Sequence, residues 1–307
     1  MKTYSIIKYY GSTSLDIAHA YEHLFIDSFY HHAASILGVD RAVIGYVGGE
    51  TFDGIIAIEA WFYDRKVAAL FEQFLKKEHL DVSRMKVILS QISAEDHCDV
   101  VVTKKTLSSV LAISEAPWQQ VDALDPVALI GWDIKEGKPK KTDSKTRFKT
   151  AMITCYIPLD EMTIRDRAVF QRLSVIMVDV LLAYVHDNGW YQMNASTVKE
   201  KNGYIYRAIA VSLPAGNTKN ALIEKEAEAA LHTFDVKANY AYIRSHMKSY
   251  AAEKLWNANS IERLKFSNVL VGNKKIAELV TEERVKHIFE SVEVRVETIS
   301  RSAAENL

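Results

Sequence analysis

Near the start of the chain stands His19-Ala20-Tyr21-Glu22-His23, two histidines and a glutamate in H-x-x-E-H spacing. On a helix His19 and His23 lie one turn apart, so both rings project from one face and can hold one ion together. Imidazole nitrogens suit zinc, which they bind at about 2.0–2.1 Å. Glu22 sits just off the same stripe, placed to take a proton from water whose pKa zinc lowers towards about 7. The order is the reverse of the commoner H-E-x-x-H. Zn2+ is therefore the expected cofactor, with His19 and His23 as ligands and Glu22 as general base.

Other residues of the right type lack the right spacing. His31 and His32 are adjacent, and neighbours on a helix point about 100° apart, too far to share an ion. Asp96-His97-Cys98 holds metal-type side chains without metal-type intervals. Gly45–Gly54 is glycine-rich but matches no phosphate-binding loop. Tyr240, Tyr242, His246 and Tyr250 form a stripe at helical spacing that reads as core.

The elements that would carry the pentapeptide follow from periodicity. Ile17, Tyr21, Leu24/Phe25, Phe29, Ala33 and Ile36 form an amphipathic stripe, predicting a helix from about Ser14, its cap, to Leu37, with Gly38 ending it. Strands are expected at Ala42–Val47 and Ile55–Phe62, then helices at Asp64–Lys77 and Val82–His97. Cys98–Ile130 reads as a possible strand at Val100–Thr103 and a short helix around Ser108–Ser114. The order then repeats: a helix at Ile164–His186, strands at Trp190–Val198 and Tyr204–Leu213, helices at Thr218–Leu231 and Val236–Trp256. Gly54 and Gly203, each before a long strand, lie 149 positions apart. Helices falling between hairpins predict an α+β fold: two similar domains, each an antiparallel-rich sheet with helices packed on one face. The expected division is 1–130, a linker at 131–145 carrying Gly137, Pro139 and many charges, and 146–307.

Bulk composition narrows the function classes. With 38 basic and 39 acidic residues among 307 and a net charge of -1, no nucleic-acid footprint is expected. The basic cluster at Lys135–Lys149 reads as a solvated connection. The two cysteines, Cys98 and Cys155, are far apart, which argues against a disulfide framework and for a reducing compartment. Met1–Ser14 lacks the apolar core of a signal peptide. The longest apolar run, Val175–Val185, is broken by Asp179 and reads as a buried helix, so no membrane contact is expected. The cytoplasm is the expected location.

Ile17–Asp27, IAHAYEHLFID, resembles the active-site helix of the pitrilysin/insulinase-type zinc peptidases, which include mitochondrial processing peptidase. The resemblance implies paired α+β domains with zinc in the first alone. It also implies a third ligand on a later helix, in the stretch matching Arg84-Met85-Lys86-Val87-Ile88-Leu89-Ser90-Gln91-Ile92. That alignment puts Gln91 where the family has its glutamate, while Glu95, one turn later, is the nearest carboxylate on the same face; alignment favours the first and charge the second. Gly189-Trp190-Tyr191 is similar to the family's glycine-to-tyrosine turn, which implies a substrate-binding role for Tyr191. Val47-Gly48 stands where the family's substrate strand carries Asn-Ala, and the arginine before the second-domain tyrosine has no counterpart among Tyr184–His186. The implied activity is an endopeptidase with a peptide lying along the Ala42–Val47 edge. The alternative is a catalytically inactive, peptidase-like binding or assembly protein. A homodimer is also implied, since the resembling bacterial enzymes pair two such units.

Overall fold

Lys2–Tyr9 alternates so that Tyr4, Ile6 and Lys8 turn to one face and the exposed Tyr9 to the other, and it forms β1, at the inside of a sheet. The computed structural model describes residues 1–96, 104–121, 147–216, 219–252 and 278–307. The expected strand at Val100–Thr103, the linker at 131–145, His97 and Cys98 lie outside them. The chain forms two units, Met1–Gly38 with Ile44–Thr146, and Val39–Val43 with Arg147–Leu307.

In the first unit β1 is followed by α1 (Leu15–Leu37), β2 (Tyr46–Phe52), β3 (Ile55–Phe62), α2 (Arg65–Lys76), α3 (Met85–Asp96), α4 (Lys104–Ile113) and β4 (Gln119–Gln120). The sheet is antiparallel in the order β2-β3-β1-β4, with Ile6 opposite Ile58 and Gly49 opposite Ile58 on the other side. Among the described residues β2 is thus an edge strand. α1 buries Ala18, Tyr21, Leu24, Phe25, Phe29 and Ala33 completely. Phe29 meets Phe71 edge-on at 4.9 Å between ring centres, and Phe25 meets Phe74 at 5.3 Å. Each such ring removed from water contributes roughly 1.5–3 kcal/mol, which makes this aromatic layer the main hold on α1.

Under α1 lies a fully buried lysine. Lys8 Nζ is 2.6 Å from Glu78 Oε1 and 2.7 Å from the Tyr21 hydroxyl, and Trp118 Nε1 donates to Glu78 Oε1 at 2.8 Å. The charge is paired and hydrogen-bonded, the condition under which burial is tolerated. Because Tyr21 stands between the two histidines in sequence, the network also fixes the rotation of α1.

The second unit runs β5 (Phe148–Pro158), α5 (Ile164–Asp187), β6 (Tyr191–Ala195), β7 (Lys199–Lys201), β8 (Tyr204–Pro214), α6 (Asn220–His232), α7 (Val236–Ala252), α8 (Glu282–Ser291), β9 (Glu293–Ile299) and α9 (Arg301–Glu305). Its sheet has the order β6-β8-β5-β9, the arrangement of the first unit repeated, with β7 extending the hairpin beside β8. The fold is α+β with two similar antiparallel units. α5 starts in a capping box between Thr163 and Asp166 and is long and apolar enough to cross a membrane, but 67% of its most apolar window is buried.

The structure corrects several expectations. Arg41–Val43 is a 3-10 turn, and the strand expected at Ala42–Val47 is β2, four residues later. β1, β5 and β9, three strands that build the sheet interiors and one border, were not anticipated. Ser14 precedes α1 in extended geometry without a side-chain cap bond, and Ile36, expected in the apolar stripe, is 55% exposed. Gly38 does end α1, at φ 64, the left-handed conformation that favours glycine.

Candidate metal centre

The pentapeptide lies in the second turn of α1, whose lower face is held by the aromatic layer, so the upper face presents His19 and His23 together. α3 brings the third group. Its approach to α1 is set at the entry: Arg84 Nε and Nη2 donate to the two carboxylate oxygens of Asp27, each at 2.9 Å, and the Asp81 N–H donates to Ser28 Oγ at 2.9 Å. From that anchor α3 runs back along α1, and Glu95 arrives at the histidines.

Three atoms converge. His23 Nε2 is 3.1 Å from His19 Nε2 and 3.1 Å from Glu95 Oε2, and His19 Nε2 is 3.5 Å from Glu95 Oε2. Donors around one tetrahedral ion held at about 2.0–2.1 Å lie roughly 3.3 Å from each other. The observed triangle matches that edge length within a few tenths of an ångström, so the residues fit zinc. Among the described residues this is the one group of three metal-type side chains close enough to hold an ion. Their side chains are 19, 16 and 25% exposed, which leaves one side of the triangle reachable from solvent.

The electrostatics favour a cation. Burial lowers the pKa of His23, but the bond to Glu95 and the charges of Glu22 and Glu95 outweigh it and push it up to about 9. Burial raises the pKa of Glu95, but bonds from His19 and His23 outweigh that and hold its carboxyl well below the usual range. A set that keeps a proton so firmly among its donors also suits a metal ion in the proton's place.

Glu22 lies beside the triangle, with its carboxylate against β2. Its Oε2 accepts from Thr51 Oγ1 at 2.5 Å. Its Oε1 lies against Gly49, where a Cβ would stand 2.8 Å from Oε1 and 2.6 Å from Ile58 Cδ1. Only glycine leaves room for the carboxylate there. Burial raises the pKa of Glu22, opposed by the charges of His23 and His19 and by the Thr51 bond. Thr51 and Gly49 were not foreseen; their signal was a hairpin strand whose alternate residues had to face α1, which the misplaced strand at Ala42–Val47 concealed.

Gln91 is drawn in as well, but not as a donor to the ion. Its Oε1 is 3.4 Å from His23 Nδ1, on the side of the ring away from Nε2. Of the two, Glu95 is the one whose oxygen meets the Nε2 atoms of both histidines. Tyr191 opens β6 in the second unit, paired with Ser212 and half-buried.

No family model matches the chain, and no curated protein matches it. Among solved structures, a protease from Helicobacter pylori is 11% identical over 97% of this chain and 94% of that one, with a TM-score of 0.36. A peptidase M16 inactive domain from Pseudomonas fluorescens is 11% identical over 96% and 91%, at 0.33. Pitrilysin is 11% identical over 98% of this chain and 41% of its own, at 0.29. Likeness this slight assigns neither family nor activity, so the function has to come from the geometry of the site itself.

Proposed function

We propose that the chain is a zinc-dependent endopeptidase of the pitrilysin/insulinase type, hydrolysing peptides or small unfolded segments. The observation that carries the reading is the triangle of His19 Nε2, His23 Nε2 and Glu95 Oε2 with Glu22 beside it. Zinc bound there would supply a Lewis acid for the scissile carbonyl and lower the pKa of water to near neutrality.

The chain's own residues do the rest. His19, His23 and Glu95 would hold the ion. Glu22 takes the proton from the attacking water. Because Oε2 is engaged by Thr51, Oε1 is the atom that receives it and passes it to the leaving amine. The peptide adds as a strand to the free edge of β2. Val47 N–H is already bonded to the Tyr30 hydroxyl at 2.8 Å, so the substrate runs along Gly48–Thr51, the stretch that flanks Glu22.

The rival reading, an inactive binding or assembly protein, drew its support from Gln91 in the ligand position. The position of Glu95 against both histidines favours the enzyme over it. Metal analysis of protein purified without affinity nickel, followed by hydrolysis assays on a peptide library, tests the reading. One zinc per chain and zinc-dependent cleavage are expected; absence of zinc would overturn it.

A further inference from the structure

We propose that Gln91 is a positioning residue that accepts the Nδ1 proton of His23 and so commits the Nε2 lone pair to the metal. The inference rests on the zinc reading above. A neutral imidazole carries one proton on one of two nitrogens, and only the bare nitrogen can bind a cation. His23 Nε2 is the nitrogen that meets His19 and Glu95, so the proton has to be on Nδ1. The Gln91 oxygen stands 3.4 Å from that atom, within reach to accept it.

The residue type fits the task. Gln91 is 4% exposed, so it stands in for water, which would otherwise serve Nδ1. A carboxylate could accept the same proton but would add a third negative charge beside Glu22 and Glu95. An amide oxygen accepts it without that repulsion. Gln91 and Glu95 are one turn apart on α3, so one helix grips a single imidazole from both sides, Glu95 at Nε2 and Gln91 at Nδ1. The two histidines differ in this respect. Among the described residues, the carboxylate beside His19 Nδ1 is that of Asp96, whose Oδ2 is 3.9 Å away, beyond hydrogen-bond distance. His23 is therefore the histidine this helix orients.

The test uses the full chain and Zn2+ alone. Competition against a chelator should show zinc affinity about 10–100-fold weaker in Gln91→Met, which keeps the shape and removes the amide. Gln91→Glu, which keeps an acceptor at Nδ1 but adds a charge, should lose less affinity than Gln91→Met, and Asp96→Asn should stay close to wild type. Nitrogen-15 spectra of the zinc-loaded wild type should show the His23 Nδ1–H exchanging with solvent more slowly than that of His19, a difference lost in Gln91→Met. Wild-type affinity in Gln91→Met, with zinc present in the wild type, overturns the positioning role alone. Equal exchange at the two histidines in the wild type does the same, and needs no variant to fold. A wild type that binds no zinc overturns both this and the reading on which it rests.

Discussion

The two units share one plan and differ at the place where chemistry would occur. In each, a first strand leads into a long helix, a hairpin supplies the edge, and the strand order of the sheet is the same. α1 begins at Leu15 and α5 at Ile164, the same interval of 149 that separates Gly54 from Gly203. At that interval His19, Glu22 and His23 correspond to Ala168, Gln171 and Arg172. Where the first unit has a nitrogen donor, the second has the buried Arg172; burial, and then the charge of Arg172, lowers the pKa of His246 to about 4. Gly49 likewise corresponds to Val198: a side chain is allowed where no carboxylate has to fit. The fold tolerates either content, so the site is an addition to the scaffold and not a consequence of it.

That contrast can be broken at several points. The largest effect should come from Glu22→Gln, which keeps zinc while hydrolysis falls by about 10²–10⁴, since only proton transfer is removed. Gln171→Ala, at the corresponding position, should leave hydrolysis unchanged; zinc-dependent cleavage at the wild-type rate in Glu22→Gln would remove Glu22 from the mechanism. Next, Ala at His19, His23 or Glu95 should cost tenfold or more in zinc affinity, because two donors cannot replace three. Full zinc occupancy in any of them, by metal analysis after dialysis, would take that residue out of the set.

Gly49→Ala should slow hydrolysis roughly tenfold with zinc retained, as the new methyl displaces the Glu22 carboxylate. A steady-state assay beside metal analysis separates the two effects. Smallest should be the anchors. Arg84 binds Asp27 in the first unit, and Arg284 Nε binds Asp166 at 2.7 Å in the second. Each pair is partly buried, and Met at either arginine should cost about 1–3 kcal/mol in denaturant unfolding. Only Arg84→Met should also weaken zinc binding, a fewfold, because that anchor aims Glu95.

The chemistry-bearing part of the sequence was the most legible. His19, Glu22 and His23 are local to one helix, and a helix turns fixed spacing into fixed geometry. The choice of Glu95 was less so. It depends on how far α3 slides along α1, which Arg84 and Asp27 decide from opposite ends of a 57-residue separation. Strands fared worst. β5 and β9 do alternate, with Ala151, Ile153, Cys155 and Ile157 buried in one and Val294 and Val296 in the other. Their pairing, however, spans well over a hundred residues, Thr154 opposite Arg295, and nothing in either strand names its partner. β1 was hidden by Lys8, a charge at an inward position that only its distant partner Glu78 makes tolerable.

The 3-10 turn at Arg41–Val43 bears on how the protein could be divided. Residues Val39–Val43 belong to the second unit although both flanking stretches belong to the first, and Ala42 and Val43 are buried in its core. The chain is therefore stitched, leaving the first unit, adding five residues to the other, and returning. A proteolytic cut near residue 147 would not release two finished halves, because the C-terminal fragment would lack two side chains of its own interior. Synthesis from the N-terminus has the same asymmetry: the five residues emerge early and wait for more than a hundred others before their core exists. A short peptide spanning Val39–Val43 added to the C-terminal fragment would be the natural partner for complementation.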